Sequence, residues 1–77
     1  MTTRRLFHYA LCVENRGYPA ALEVRKVYRV LPDLAAARRG LLRVVDESGE
    51  DYLYPARFFL RIEVPRAAIR VFRKRIA

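Results

Sequence analysis

Asp46-Glu47-Ser48-Gly49-Glu50-Asp51-Tyr52-Leu53-Tyr54-Pro55 is the stretch that sets the fold. An apolar run (Leu41, Leu42, Val44, Val45) enters it and an aromatic run (Tyr52, Leu53, Tyr54) leaves it. Four carboxylates lie between them, with Ser48-Gly49 at the centre. Two strand-forming runs flanking a short polar segment with a glycine are the pattern of an antiparallel hairpin. Gly49 supplies the positive φ that such a turn demands, because it has no Cβ to clash. The hairpin therefore runs from 41–46 to 51–54.

Working outward from the hairpin toward the C-terminus, Pro55-Ala56-Arg57-Phe58-Phe59 predicts a turn or 3₁₀ segment that returns aromatics to the core. Leu60, Ile62 and Val64 alternate with Arg61 and Glu63, the signature of a last strand with one wet face. Pro65 suits the first turn of a helix. Behind it Ala68, Ile69, Phe72 and Ile76 fall at helical spacing, with Arg66, Arg70, Arg73 and Lys74 largely on the other side. Toward the N-terminus, Asp33 is placed to cap a short helical segment over 34–39, and Gly40 to end it. Pro32 stops a strand read over 22–31, whose alternation slips at Arg25-Lys26 as a β-bulge or a break would make it. Residues 14–21, dense in turn formers, predict a loop. Leu6 to Val13 alternates with period two and is apolar on both faces, as in a largely buried strand.

About five short strands and little helix predict a mostly β fold. Closure removes exposed edges, which favours a small barrel, SH3-like in preference to OB-like because the OB helix has no room. The expected division is a barrel domain over 1–64 and a basic helix or tail over 65–77. At 77 residues, 53% hydrophobic and 31% charged, the composition is that of a folding domain with a thin stability margin. Cys12, the single cysteine, has no intramolecular disulfide partner. The N-terminal residues lack a signal-peptide core and no apolar run reaches the length of a bilayer span, so a cytoplasmic location is expected.

Three passages carry a resemblance: 11–15 (Leu-Cys-Val-Glu-Asn), 22–33 (Leu-Glu-Val-Arg-Lys-Val-Tyr-Arg-Val-Leu-Pro-Asp) and 43–55 (Arg-Val-Val-Asp-Glu-Ser-Gly-Glu-Asp-Tyr-Leu-Tyr-Pro). With these the chain resembles, over about residues 7–64, a family of small uncharacterised bacterial proteins that looks like an SH3-like barrel group. The resemblance implies the fold and carries no activity with it.

Lys+Arg of 16 against Asp+Glu of 8 gives a net charge of +8. The excess favours encounter with polyanions, although richness in Arg and Ala is also what a GC-rich coding composition gives. Arg66, Arg70, Arg73, Lys74 and Arg75 form the densest cationic stretch and are the candidate nucleic-acid contacts, with Arg4 and Arg5 beside them. The alternative is a protein-interaction surface using Tyr18, Tyr52 and Tyr54 with the acidic tip. Tyr28, Phe58 and Phe59 extend the aromatic set, mostly as expected core. Self-association through strand edges is a third reading. Asp46, Glu47, Glu50 and Asp51 do not follow EF-hand spacing and are expected to form a solvated turn with no metal. His8 and Cys12 share a strand face about 13 Å apart, too far for a nucleophile–base pair. Gly17, Gly40 and Gly49 are isolated, so no phosphate-cradling loop is present. A non-catalytic binding module without a cofactor is the expected class.

Overall fold

A computed structural model describes residues 8–63 and residue 67. The elements in chain order are β1 (His8–Cys12), β2 (Val27–Leu31), α1 (Leu34–Arg38), β3 (Leu41–Val45), β4 (Asp51–Pro55), a 3₁₀ turn (Ala56–Phe58) and β5 (Phe59–Ile62). The strands make one antiparallel sheet in the order β4-β3-β2-β1-β5. The mostly β expectation and the strand count hold. Closure into a barrel does not appear among the described pairings: the sheet is open, with β4 and β5 as its edges. Those edges carry Asp51 and Pro55 on one side and Arg61 on the other, residues that blunt edge-to-edge pairing without closure. Of the helix expected after Pro65, only residue 67 lies among the described residues.

Register fixes which face is the core. Opposed residues share a face, and the pairs Ala10↔Tyr28, Val30↔Val44 and Leu42↔Tyr54 place one continuous set of side chains on one side of the sheet. Together with Cys12, Phe58 and Phe59 these form the buried cluster. The face is roofed by the loop between β1 and β2, whose Leu22 is 0% exposed. Removing a leucine side chain from water contributes about 2 kcal/mol, so Leu22 is a main anchor of that loop.

Several local expectations are met for the reasons given. Asp33 accepts the Ala36 N–H at 2.9 Å, capping α1, and Gly40 ends the helix at φ 73°. At the hairpin tip Gly49 sits at φ 87°; its N–H bonds to Asp46 O at 2.9 Å, while Asp46 N–H bonds to Glu50 O at 3.0 Å. The turn or 3₁₀ segment expected over 55–59 is a 3₁₀ turn at Ala56–Phe58 that buries Phe58.

Two strand readings are corrected. Residues 22–26 belong to the loop, and the ladder begins only at Val27. The slip in alternation is real: Cys12 accepts from Arg25 N–H at 2.7 Å and donates to Lys26 O at 2.9 Å, so two residues oppose one. That is a β-bulge, with Arg25 at φ 76°, and it turns the preceding residues out of the sheet. Val24, read as a strand residue, is accordingly exposed. In β5 the buried residue is Phe59, opposite Cys12, whereas Leu60 faces the other side opposite Leu11 and is 58% exposed. Among the described residues no helix is long and apolar enough to cross a membrane.

Candidate functional site

The loop from Val13 to Lys26 lies over the hairpin, and the two are joined by a polar network. Within the loop, Tyr18 N–H bonds to Asn15 O, and both Ala21 and Leu22 N–H bond to Tyr18 O. Asn15 Nδ2 donates to Leu22 O at 3.0 Å, drawing the loop's two limbs together. The loop then meets the tip directly: Glu47 N–H donates to Ala21 O at 3.0 Å. Glu47 Oε2 takes Lys26 Nζ at 2.6 Å and the Tyr28 hydroxyl at 2.5 Å, and that hydroxyl accepts from Glu23 N–H at 2.8 Å. Lys26 and Tyr28 hold the Glu47 carboxyl below its ordinary value, against the opposing effect of burial. Burial and the carboxylate push the Tyr28 hydroxyl well up, so it stays a proton donor.

Asp46 departs most from its expectation. Only 5% of it is exposed, and it is the one buried charged residue among those described. Burial alone would raise its pKa, but hydrogen bonds from the Ser48 hydroxyl, the Tyr54 hydroxyl and the Ser48 N–H together bring it below the ordinary value. Ser48 donates to Oδ1 from both Oγ (2.6 Å) and N (2.9 Å), and Tyr54 donates to Oδ2. Asp46 is thus an internal support, not part of the solvated turn expected from its composition.

Between loop and hairpin lies an open groove of about 590 Å³. Tyr18, Ala20 and Ala21 form one wall, Asp46, Glu47 and Ser48 the end, and Tyr52, Leu53 and Tyr54 the other wall. Tyr18 meets Tyr54 edge to face at a centroid distance of 5.0 Å, an arrangement that positions both rings. The three tyrosines singled out by sequence are therefore brought together, but unequally. Tyr18 is 42% and Tyr52 51% exposed, whereas Tyr54 is 3% exposed and floors the groove as a core residue. Tyr52 donates to Glu50 Oε1 at 3.1 Å, which leaves its ring standing at the rim. The groove's alanines, the Ala21 carbonyl and Lys26 had no signal in the sequence, since only the folded-back loop brings them to the tip.

The remaining candidates lie elsewhere. Tyr28, Phe58 and Phe59 are core. Cys12 is buried, its Sγ donating to Glu14 O at 3.3 Å, and burial pushes the thiol up. His8 begins β1 opposite Val30. Glu50 and Asp51 are exposed, with Asp51 meeting Arg43 at 2.9 Å. No group of three or more His, Cys, Asp or Glu is arranged to hold a metal among the described residues. Arg4, Arg5, Arg66, Arg70, Arg73, Lys74 and Arg75 lie outside the described residues. No protein-family model matches the chain, and neither a curated protein nor a solved structure is matched by it.

Proposed function

We propose that the chain is a non-catalytic, SH3-like binding module whose groove between the Val13–Lys26 loop and the β3–β4 hairpin receives a segment of another protein. The observation that carries this is the groove itself, walled by two half-exposed tyrosines on a floor fixed by core packing and by the Asp46 and Glu47 hydrogen bonds. Half-exposed aromatic rings beside small residues offer contact area at little conformational cost. Five antiparallel strands with a 3₁₀ turn before the last support the SH3-like reading. Selection of random peptides displayed on phage tests it. Enrichment on the wild-type chain that is lost on Tyr52→Ser is expected; selection yielding nothing, or peptides indifferent to Tyr52, would end it.

A second reading concerns the ends of the chain. Residues 8–63 hold nine Lys+Arg and all eight Asp+Glu, a net of +1. Seven positive charges of the +8 therefore reside in Arg4, Arg5, Arg66, Arg70, Arg73, Lys74 and Arg75. Charge concentrated in this way toward the two ends of the sequence suits contact with nucleic-acid phosphates. Anisotropy of labelled RNA and DNA across a salt series is expected to show weak, steeply salt-dependent binding. Neutralising the five C-terminal cations to Gln should abolish it, and binding unchanged by that substitution would remove the reading.

A further inference from the structure

We propose that the occupant of the groove is an extended, basic peptide, paired with the free edge of β4 at Leu53 and placing a Lys or Arg side chain against Tyr52, Tyr18 and the carboxylates of Glu47 and Glu50. The inference rests on the groove reading and gives it a ligand class.

The edge comes from register. In an antiparallel pair, hydrogen-bonded and non-hydrogen-bonded positions alternate. The bonds Ala56 N–H to Gly40 O and Asp46 N–H to Glu50 O bracket the β3–β4 ladder. Between them the pairs Leu42↔Tyr54 and Val44↔Tyr52 must be the ones exchanging bonds. The N–H and C=O of Leu53 therefore point off the sheet, at the edge and in the wall of the groove. An unpaired N–H and C=O at the edge of a sheet is a template for one more extended strand, and side chains at alternate positions of that strand then reach the neighbouring pocket.

The charge comes from what each carboxylate already does. Both Asp46 oxygens are occupied by hydrogen bonds from within the hairpin. Asp51 is turned to the other face, where it meets Arg43. Glu47 receives both of its partners on Oε2, and Glu50 receives Tyr52 on Oε1. Among the described residues nothing bonds the second oxygen of either. With Lys26 as the counter-charge, Asp46 and Glu47 leave the groove end at −1, and Glu50, bonded to the rim residue Tyr52, adds a second negative charge beside it, in a chain whose total is +8. A cation placed there meets unused acceptors and two half-exposed aromatic rings, whose quadrupoles attract positive charge. An acidic peptide would instead meet like charge.

Three fluorescein-labelled peptides of equal length test this, built from alternating alanine with arginine, glutamine or glutamate, titrated into the full chain by anisotropy and by amide chemical shifts. The arginine peptide is expected to bind tightest, although the overall charge of the protein repels it, and to shift Leu53, Tyr52 and Tyr18. Glu50→Gln, at an exposed position that leaves the core intact, should weaken it about two- to fivefold. Equal binding of the arginine and glutamine peptides in the groove would overturn the basic ligand and leave the groove reading standing. Shifts confined to Arg43 and Asp51, or no groove shifts with any peptide, would overturn both.

Discussion

The hairpin tip is nearly symmetric in sequence, Asp46-Glu47 before the Ser48-Gly49 turn and Glu50-Asp51 after it, yet its two halves do opposite things. Asp46 faces inward and is consumed by hydrogen bonds from Ser48 and Tyr54, and Glu47 beside it, though exposed, binds Tyr28 and Lys26 through one oxygen. Glu50 and Asp51 remain at the surface. The cause is register. Asp46 continues the face of Leu42 and Val44, so it enters the core side of the sheet just where Tyr54 presents a hydroxyl. Asp51 lies opposite Val45, on the outer face, and meets the Arg43 that also pairs with Asp33. Identical chemistry thus becomes structural on one side of a turn and available on the other. For the two aspartates, the parity of the position in the strand decides which.

The sharpest way to break this comparison is Asp46→Ala. It leaves the Tyr54 hydroxyl in the core without its acceptor and frees the Ser48 donors, and should cost about 2–4 kcal/mol in urea unfolding. Tyr54→Phe removes the donor and keeps the ring, so about 1–2 kcal/mol is expected. The two losses should fall short of adding in the double variant, because they delete one interaction. Glu47→Gln keeps the shape and loses the charge that Lys26 and Tyr28 bind, with an expected loss of about 1 kcal/mol. Replacing Glu50 by Gln or Asp51 by Asn should leave the unfolding midpoint within experimental scatter. If Glu50→Gln were as damaging as Asp46→Ala, the asymmetry would be refuted.

The same asymmetry has a pH signature. The Asp46 and Glu47 carboxyls titrate below their ordinary values of 3.8 and 4.5 in the folded chain, whereas in the unfolded chain they return to them. The unfolded state therefore binds more protons as pH falls. Their contribution is complete above those ordinary values and is lost as pH drops through the depressed folded ones. Stability followed from pH 7 downward should start to fall near about pH 4 and continue below it. Asp46→Asn should flatten that acid limb.

Much of the fold was legible because it is local. The Ser48-Gly49 turn, the Asp33 cap, the Gly40 stop and the 3₁₀ turn at Ala56–Phe58 are each written within a few residues. Even the slip at Arg25-Lys26 marked a true bulge. Residues 22–26 misled because Leu22 is apolar for a tertiary reason: it plugs the core from a loop, and periodicity cannot tell that from a strand. Leu60 misled because the pairing of β5 with β1, 47 residues apart at Cys12↔Phe59, chose Phe59 as the inward residue. For the site, Tyr18 was legible from its place in a loop, and Tyr52 from sharing a strand face with Tyr54, although only Tyr52 of that pair is exposed. That Tyr54 would be the floor and Asp46 its acceptor depended on packing no single stretch encodes.

The Glu47–Ala21 and Glu47–Tyr28 bonds join segments distant in sequence, whereas Asp46 and Tyr54 belong to one hairpin. Closing the longer connection costs more chain entropy, so the hairpin can form first and the loop settles onto it last. By the same token the loop, held to the tip through Glu47 and to the core through Leu22, is a unit whose opening would be local. Lifting it removes Tyr18 and the alanines, and with them one wall of the groove. Affinity for any occupant is then scaled by the fraction of time the loop is down, and an occupant in turn holds it there. Glu47, which ties Ala21, Lys26 and Tyr28 to the tip, sets how ready the surface is to receive one.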